Sequence, residues 1–306
     1  MDAKNVDSAE VKQNMLSKMV EHYDLRASEQ IRQGKLELAL ETYTELLEKI
    51  KKHFEQEDIW LQSGEYVACQ AKIIMVLIQF GKEEAEAKAE MICSELKQHF
   101  QSQNIQMPAY ASILNLYSAI KFSQQKFEEA LDMSQTAQQI FERTIGTQNE
   151  QYYSTLIKIG NIALRTERFS FALSNFEKAA AIIEHLIGTR NEDYISAINQ
   201  IGVTLTQLDR IDEAISKLNL AQQLTTETFG DNHHMNADIL ENMVSVYLKK
   251  NDMQQAANFA EHVWKMRERL LGPAHEDTLR TKAYYDQLNT IIMLTSGEMD
   301  NFLRKK

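Results

Sequence analysis

Gly146, Gly188, Gly230 and Gly272 stand 42 residues apart. A fixed spacing of this length restricts a chain to an array of similar supersecondary units that bury their apolar faces on one another. The segments around the glycines read ERTIGTQNEQY, EHLIGTRNEDY, TETFGDNHHMN and ERLLGPAHEDT. Ala130, Ala172, Ala214 and Ala256 keep the same interval, as do Phe127, Phe169, Ile211 and Met253 three positions earlier. Leu156, Ile198 and Leu240 form a further column, and Ile159, Ile201 and Met243 another.

Between the glycines, apolar residues recur at steps of three and four, the signature of an amphipathic helix. One unit reads as helix A over 152–168 and helix B over 169–188. Gly188 suits a left-handed position ending helix B, and Asn191 or Asp193 can cap the next helix. Gly160 and Ala172, twelve apart, are small enough for helices A and B to approach closely, and Gly202 with Ala214 repeats the pairing. Ser118 with Ala130 is a third such pair, whereas Val244 with Ala256 departs in size. The low count of ten Gly and two Pro also fits a chain built of helices.

The small residues at 160 and 172, with Phe176 and Ala179, resemble the tetratricopeptide-repeat pattern of two antiparallel helices. The 42-residue unit closed by the LG-P-x-H loop of ERLLGPAHEDT is similar to the longer variety found in kinesin light chains. That resemblance implies an all-α, right-handed superhelix, or solenoid, of about six hairpins plus a C-terminal capping helix. The expected organisation is degenerate hairpins over 1–100, a regular array over 101–274, and a capping helix with a short tail over 275–306. GKLELALETY (34–43) repeats the order of QKFEEALDMS (125–134), which predicts a hairpin over about 9–54. Its first helix carries Val11, Met15, Met19, Tyr23, Ala27 and Ile31 as one stripe. A second hairpin is expected over about 58–100, and Leu279, Ala283, Leu288, Ile291 and Ile292 mark the capping helix.

A site with its own chemistry finds little support. His275 shares its phase with His233, Asn191 and Asn149, so it reads as a loop cap rather than a catalyst. His233–His234, beside Glu227 and Asp231, lacks a third metal ligand at a fixed spacing. Cys69 and Cys93 read as buried small apolar groups of a reducing compartment. The glycines leave no phosphate-cradling loop, and no nucleophile–base motif occurs. We expect no enzyme, no metal and no cofactor. The polar, acidic N-terminus does not read as a targeting peptide, and no apolar run is long enough to span a membrane. A net charge of −11 argues against nucleic acid and anionic membrane as partners. The expected location is cytoplasmic.

Function is therefore sought at outward positions of the A helices. Counted from the small residue, these are Asn115, Ala119 and Ser123, then Lys158, Asn161 and Arg165, then Asn199, Gln200 and Gln207, then Glu241, Asn242, Ser245 and Lys249. Amides offer both a donor and an acceptor to an extended backbone, and Lys158, Arg165 and Lys249 favour acidic residues in it. The expected groove is Asn115, Lys158, Asn161, Arg165, Asn199, Gln200, Asn242 and Lys249. Light chains carry an Asn-Asn pair in helix A, and their groove receives peptides with an aromatic residue among acids. Here that pair is only partly kept, as Asn115-Leu116, Ile157-Lys158, Asn199-Gln200 and Glu241-Asn242. The resemblance implies protein or peptide partners in a larger multiprotein complex, in a cytoskeletal or ciliary setting. A peptide-controlled regulator whose N-terminal helices switch contacts is the alternative.

Overall fold

The computed structural model describes residues 3–54 and 57–295, with the side chains of residues 11–54 and 59–295. The described residues form thirteen helices of sixteen residues or more, one four-residue helical turn and no strand. Two compact units divide the chain at Thr147 and Gln148. The first contains α1 (Ala3–Arg32), α2 (Leu36–Phe54), the short α3 (Glu57–Trp60), α4 (Gly64–Gln79), α5 (Glu83–Ser102), α6 (Pro108–Ser123) and α7 (Phe127–Thr144). The second contains α8 (Glu150–Arg165), α9 (Phe169–Ile187), α10 (Glu192–Gln207), α11 (Ile211–Phe229), α12 (His234–Lys249), α13 (Met253–Leu271) and α14 (Glu276–Thr295).

Inside each unit the helices pair as hairpins, α1 with α2, α4 with α5 and α6 with α7, then α8 with α9, α10 with α11 and α12 with α13. The second helix of a hairpin also packs on the first helix of the next, as α9 does on α10 and α11 on α12. This is an all-α solenoid of helical hairpins. The phase-locked columns are its core. Leu156, Ile198 and Leu240 are at most 3% exposed, as are Ile159, Ile201 and Met243. Each such side chain contributes about 1.5–3 kcal/mol by leaving water.

The glycines of the 42-residue column follow a stricter rule than a left-handed cap. Gly188, Gly230 and Gly272 have φ of 80, 85 and 90° with ψ of −168, 171 and 162°, a region open essentially to glycine alone. A Cβ there would meet no neighbour within 4 Å, so backbone conformation, not space, selects the residue. The left-handed position lies instead in the A–B turn, where Gln125, Glu167, Asp209 and Asn251 have φ of 58–62°. The following amides bond back to the last turn of helix A, as Arg168 N does to Ala163 O at 2.8 Å and Arg210 N to Leu205 O at 2.9 Å. These bonds satisfy helix-end carbonyls and hold the chain reversal.

Gly160 and Gly202 answer to space. A Cβ on Gly160 would lie 2.6 Å from the Phe176 ring, and one on Gly202 would lie 2.7 Å from Leu218. The partner sixteen residues on varies with the small residue. Ser118 and Ser134 share a hydrogen bond of 2.7 Å, and Val244 sits with Ala260 in one buried cluster. Val244 is therefore no misfit, because its bulk replaces what Ala260 lacks relative to Phe176.

The helix starts use one chemistry. Asn149 Oδ1 and Asn191 Oδ1 accept from Tyr152 N and Tyr194 N, each at 2.9 Å. His233 Nδ1 accepts from Met235 N at 3.4 Å, and His275 Nδ1 from Asp277 N at 3.2 Å. ERLLGPAHEDT is a joint between helices, and its histidine is a cap. Asp193 does not cap; it accepts from Tyr153 Oη at 2.7 Å.

Two stripes differ from expectation. In α1 the buried residues are Leu16, Tyr23, Ala27 and Gln30, while Val11 and Met15 are exposed. A constant step of four overshoots the helical turn by about 40°, so a run of five such steps drifts about 200° and leaves its face. In α14, Leu288 is buried and Ile292 packs on the last hairpin, but Leu279, Ala283 and Ile291 are exposed. Lys282 and Asp286 stand where the preceding repeat has buried Leu240 and Val244, and both are exposed. A polar flank of this kind ends the array without inviting another helix.

Candidate partner-binding groove

Burial of the apolar columns on one side of α8, α10 and α12 turns their polar positions to the other. Lys158, Asn161, Asn199, Gln200, Glu241 and Asn242 are half-buried there, while Arg165, Gln207, Ser245 and Lys249 are exposed. Asn115 belongs to the first unit and is 8% exposed. Helix α6 buries nine of its sixteen residues, since α4, α5 and α7 all pack on it. Asn115 is thus a buried polar residue of that packing and not an open groove position. Ala119 and Ser123 of the same helix are exposed, and Ser123 Oγ donates to Glu86 and to Ile120 O.

Several of the expected groove residues spend part of their bonding capacity on neighbouring repeats. Gln200 Nε2 donates to Asn161 Oδ1 at 3.0 Å, and Asn242 Nδ2 donates to Asn199 Oδ1 at 2.9 Å. These bonds span 39 and 43 residues and tie α8 to α10 and α10 to α12. Lys249 Nζ donates to Thr206 O at 2.6 Å and to Gln207 O at 3.3 Å, placing a cation on the carbonyl end of α10 where the helix dipole favours it. The ladder leaves the amide nitrogens of Asn161 and Asn199 and the amide oxygens of Gln200 and Asn242 for other bonds.

Lys158 is different. It has no hydrogen-bond or ion-pair partner among the described residues, and burial alone pulls its ammonium below the ordinary lysine value. A cation held this way incurs a desolvation cost that no neighbour repays.

Sequence reasoning missed the charge at the end of the array. Arg267, 8% exposed, donates from both terminal nitrogens to the Glu241 carboxylate at 2.7 and 2.8 Å and to Thr281 at 2.8 Å. It joins α12, α13 and α14, and it occupies Glu241, which had been counted as an open position. An arginine near the end of a helix carries no local sign of this role.

No group of three or more His, Cys, Asp or Glu side chains able to hold a metal occurs among the described residues. His234 lies 4.0 Å from Glu192. Cys69 and Cys93 are buried free thiols, each pushed up to about 12 by burial. No helix of the described residues is long and apolar enough to cross a membrane.

The family model of the tetratricopeptide repeat matches residues 110–185 and 193–269, together half of the chain. The chain belongs to the tetratricopeptide-repeat family. Its repeats resemble several solved structures. BtubC (BKLC) from P. vanneervenii is 17% identical with a TM-score of 0.63, over 78% of this chain and 92% of that one. A putative kinesin light chain from Podosopora anserina with nearly identical TPR-like repeats is 11% identical with a TM-score of 0.59, over 69% of this chain and 99% of that one. A Rap protein complexed with Competence and Sporulation Factor is 13% identical with a TM-score of 0.60, over 95% of this chain and 74% of that one. At these identities the likeness is one of fold. Compared by sequence with curated proteins, the chain matches none. A tetratricopeptide fold is in general a non-enzymatic scaffold for protein–protein interaction, and no enzyme family matches this chain.

Proposed function

We propose that this protein is a non-enzymatic scaffold or adaptor that holds partner proteins along the A-helix face, with an acidic residue of the partner seated on Lys158. The observation that carries the reading is the lone, half-buried ammonium of Lys158 among amides that still have bonding groups to offer. Within a fold, a charge kept without a partner is a cost, and an incoming carboxylate converts that cost into affinity. Asn161, Asn199, Gln200 and Asn242 supply donors and acceptors to the partner's backbone, and Arg165 and Lys249 add positive charge nearby.

The test compares partners recovered from the native cell by wild type and by Lys158→Glu, identified by mass spectrometry. We expect the principal partners to disappear from the variant while its helical content and melting are retained. An identical set in both removes the groove from the reading and moves binding to other surfaces. Asn199→Ala is a poor companion change, because Asn199 also holds Asn242. The setting proposed is a cytoplasmic, microtubule- or cilium-associated assembly, after the light-chain-like repeat. A diffuse distribution of the tagged protein, indifferent to microtubule depolymerisation, would count against it.

A second reading, a peptide-controlled regulator whose N-terminal helices switch contacts, is favoured by one observation. The likeness to the factor-bound Rap protein extends over 95% of this chain. Compaction in solution scattering on adding a recovered partner peptide supports it, and unchanged dimensions with a bound peptide overturn it.

A further inference from the structure

On the A-helix face, a cavity lies where the last hairpin meets α14. The position sixteen residues after the small residue holds Phe176 over Gly160 and Leu218 over Gly202, where the large side chain takes the space the glycine leaves. In the last hairpin that position is Ala260, opposite Val244. A cavity of about 610 Å³ opens there, floored by Val244, Ala260 and Ala283 and walled by Tyr284.

The rim is polar but electrically quiet. Glu241 is matched by the bidentate Arg267, and Arg280 lies 2.7 Å from Asp277. Ser245 Oγ donates to Glu241 O at 3.3 Å, and Asn242 gives its amide nitrogen to Asn199. A cation or an anion entering the cavity would find no uncompensated charge to receive it. An uncharged side chain would find an apolar floor, and burial there is worth up to about 1.5–3 kcal/mol before the costs of association.

We infer that this cavity is a second anchor of the groove, receiving an uncharged apolar side chain, aliphatic or aromatic, from the bound partner. The inference rests on the scaffold reading and adds the chemistry of the partner's other end. Lys158 on α8 and the α12–α14 cavity are both in the second unit. Neighbouring helices stand roughly 8–10 Å apart, so two and a half intervals place the anchors about 20–25 Å from each other. An extended chain covers that span in about seven residues. The partner segment thus carries an acidic residue and, about seven positions away, an apolar one.

The experiment titrates the full chain, with alanine and valine methyl groups isotopically labelled, with N-acetyl-tryptophanamide and N-acetyl-leucinamide. N-acetyl-lysinamide and N-acetyl-aspartamide serve as charged controls. The uncharged probes should shift the Ala260, Ala283 and Val244 methyl resonances with a Kd on the order of 1–10 mM, and Ala283→Leu, a change at an exposed position, should abolish the shifts at Ala260 and Val244. No shift at about 10 mM probe, or shifts of equal size with the charged controls, overturns the inference. Because the probes carry no acid and do not depend on Lys158, such a failure leaves the outcome of the Lys158→Glu comparison standing on its own.

Discussion

Gly160 and Lys158 lie two positions apart on α8 and show two ways in which one residue is held to its identity. Gly160 faces the core, where a Cβ would lie 2.6 Å from Phe176, a ring with no exposed surface. Gly160→Ala should therefore cost about 1–3 kcal/mol by overpacking. The same substitution on a Phe176→Ala background should cost much less, so that in a double-mutant cycle of urea midpoints the double variant loses less than the sum of the two single ones; additive costs would show that the ring yields freely. Lys158 stands on the proposed groove face. Its folded pKa lies below its unfolded value, so between those two values the unfolded chain binds more protons and stability rises with pH. At lower pH the full desolvation cost is present. Lys158→Met should raise stability at pH 7 by about 1 kcal/mol and flatten that rise towards pH 10, measured by urea unfolding at both pH values. A loss of stability in Lys158→Met would mean that the ammonium has a compensating role in the fold.

Among the helices, α14 shows most clearly how an element is fixed by few contacts. It buries Thr278, Thr281 and Leu288, a small apolar area for twenty residues, and relies on the Arg267 link to Glu241 and Thr281. Arg267→Ala removes three charge-assisted bonds, two to Glu241 and one to Thr281, and leaves the partly exposed Glu241 unpaired, a loss of about 1–3 kcal/mol. Because the other helices keep their own columns, the loss should appear as faster amide exchange confined to α14 and the C-terminal part of α13. Uniform acceleration across the second unit would show instead that α14 is a cooperative part of the array.

Over the full length of the chain, hairpins that touch mainly their neighbours make stability a sum of local contributions, and cooperativity across the two compact units is not guaranteed. The chain carries natural reporters for each. Cys69 and Cys93 are buried thiols of the first unit, with pKa values pushed up by burial. Trp264 lies in the second unit, its ring 5.7 Å from Tyr285. In a Trp60→Phe background, thiol labelling and tryptophan fluorescence should give different urea midpoints, and coincident midpoints would establish a single cooperative transition. In native buffer at pH 8 the two thiols should resist a disulfide reagent, since neither thiolate nor access is available.

The helices, the hairpin repeat and the caps were legible in the sequence because each follows a rule confined to a few neighbouring residues. The 42-residue columns predicted Leu156, Ile159 and their counterparts as core, and the phase of His275 predicted a cap. The stripe of α1 misled because equal steps of four look regular in a sequence but turn about the helix. What tertiary structure alone decided was the fate of the polar positions. Asn199 and Asn242, or Gln200 and Asn161, bond across about forty residues only when two helices are set within an ångström of the right place. Lys158 stays alone, and Arg267 finds Glu241, for the same reason. Burial follows a periodic, local rule, whereas pairing and cavities depend on distances between helices, which no single stretch of chain encodes.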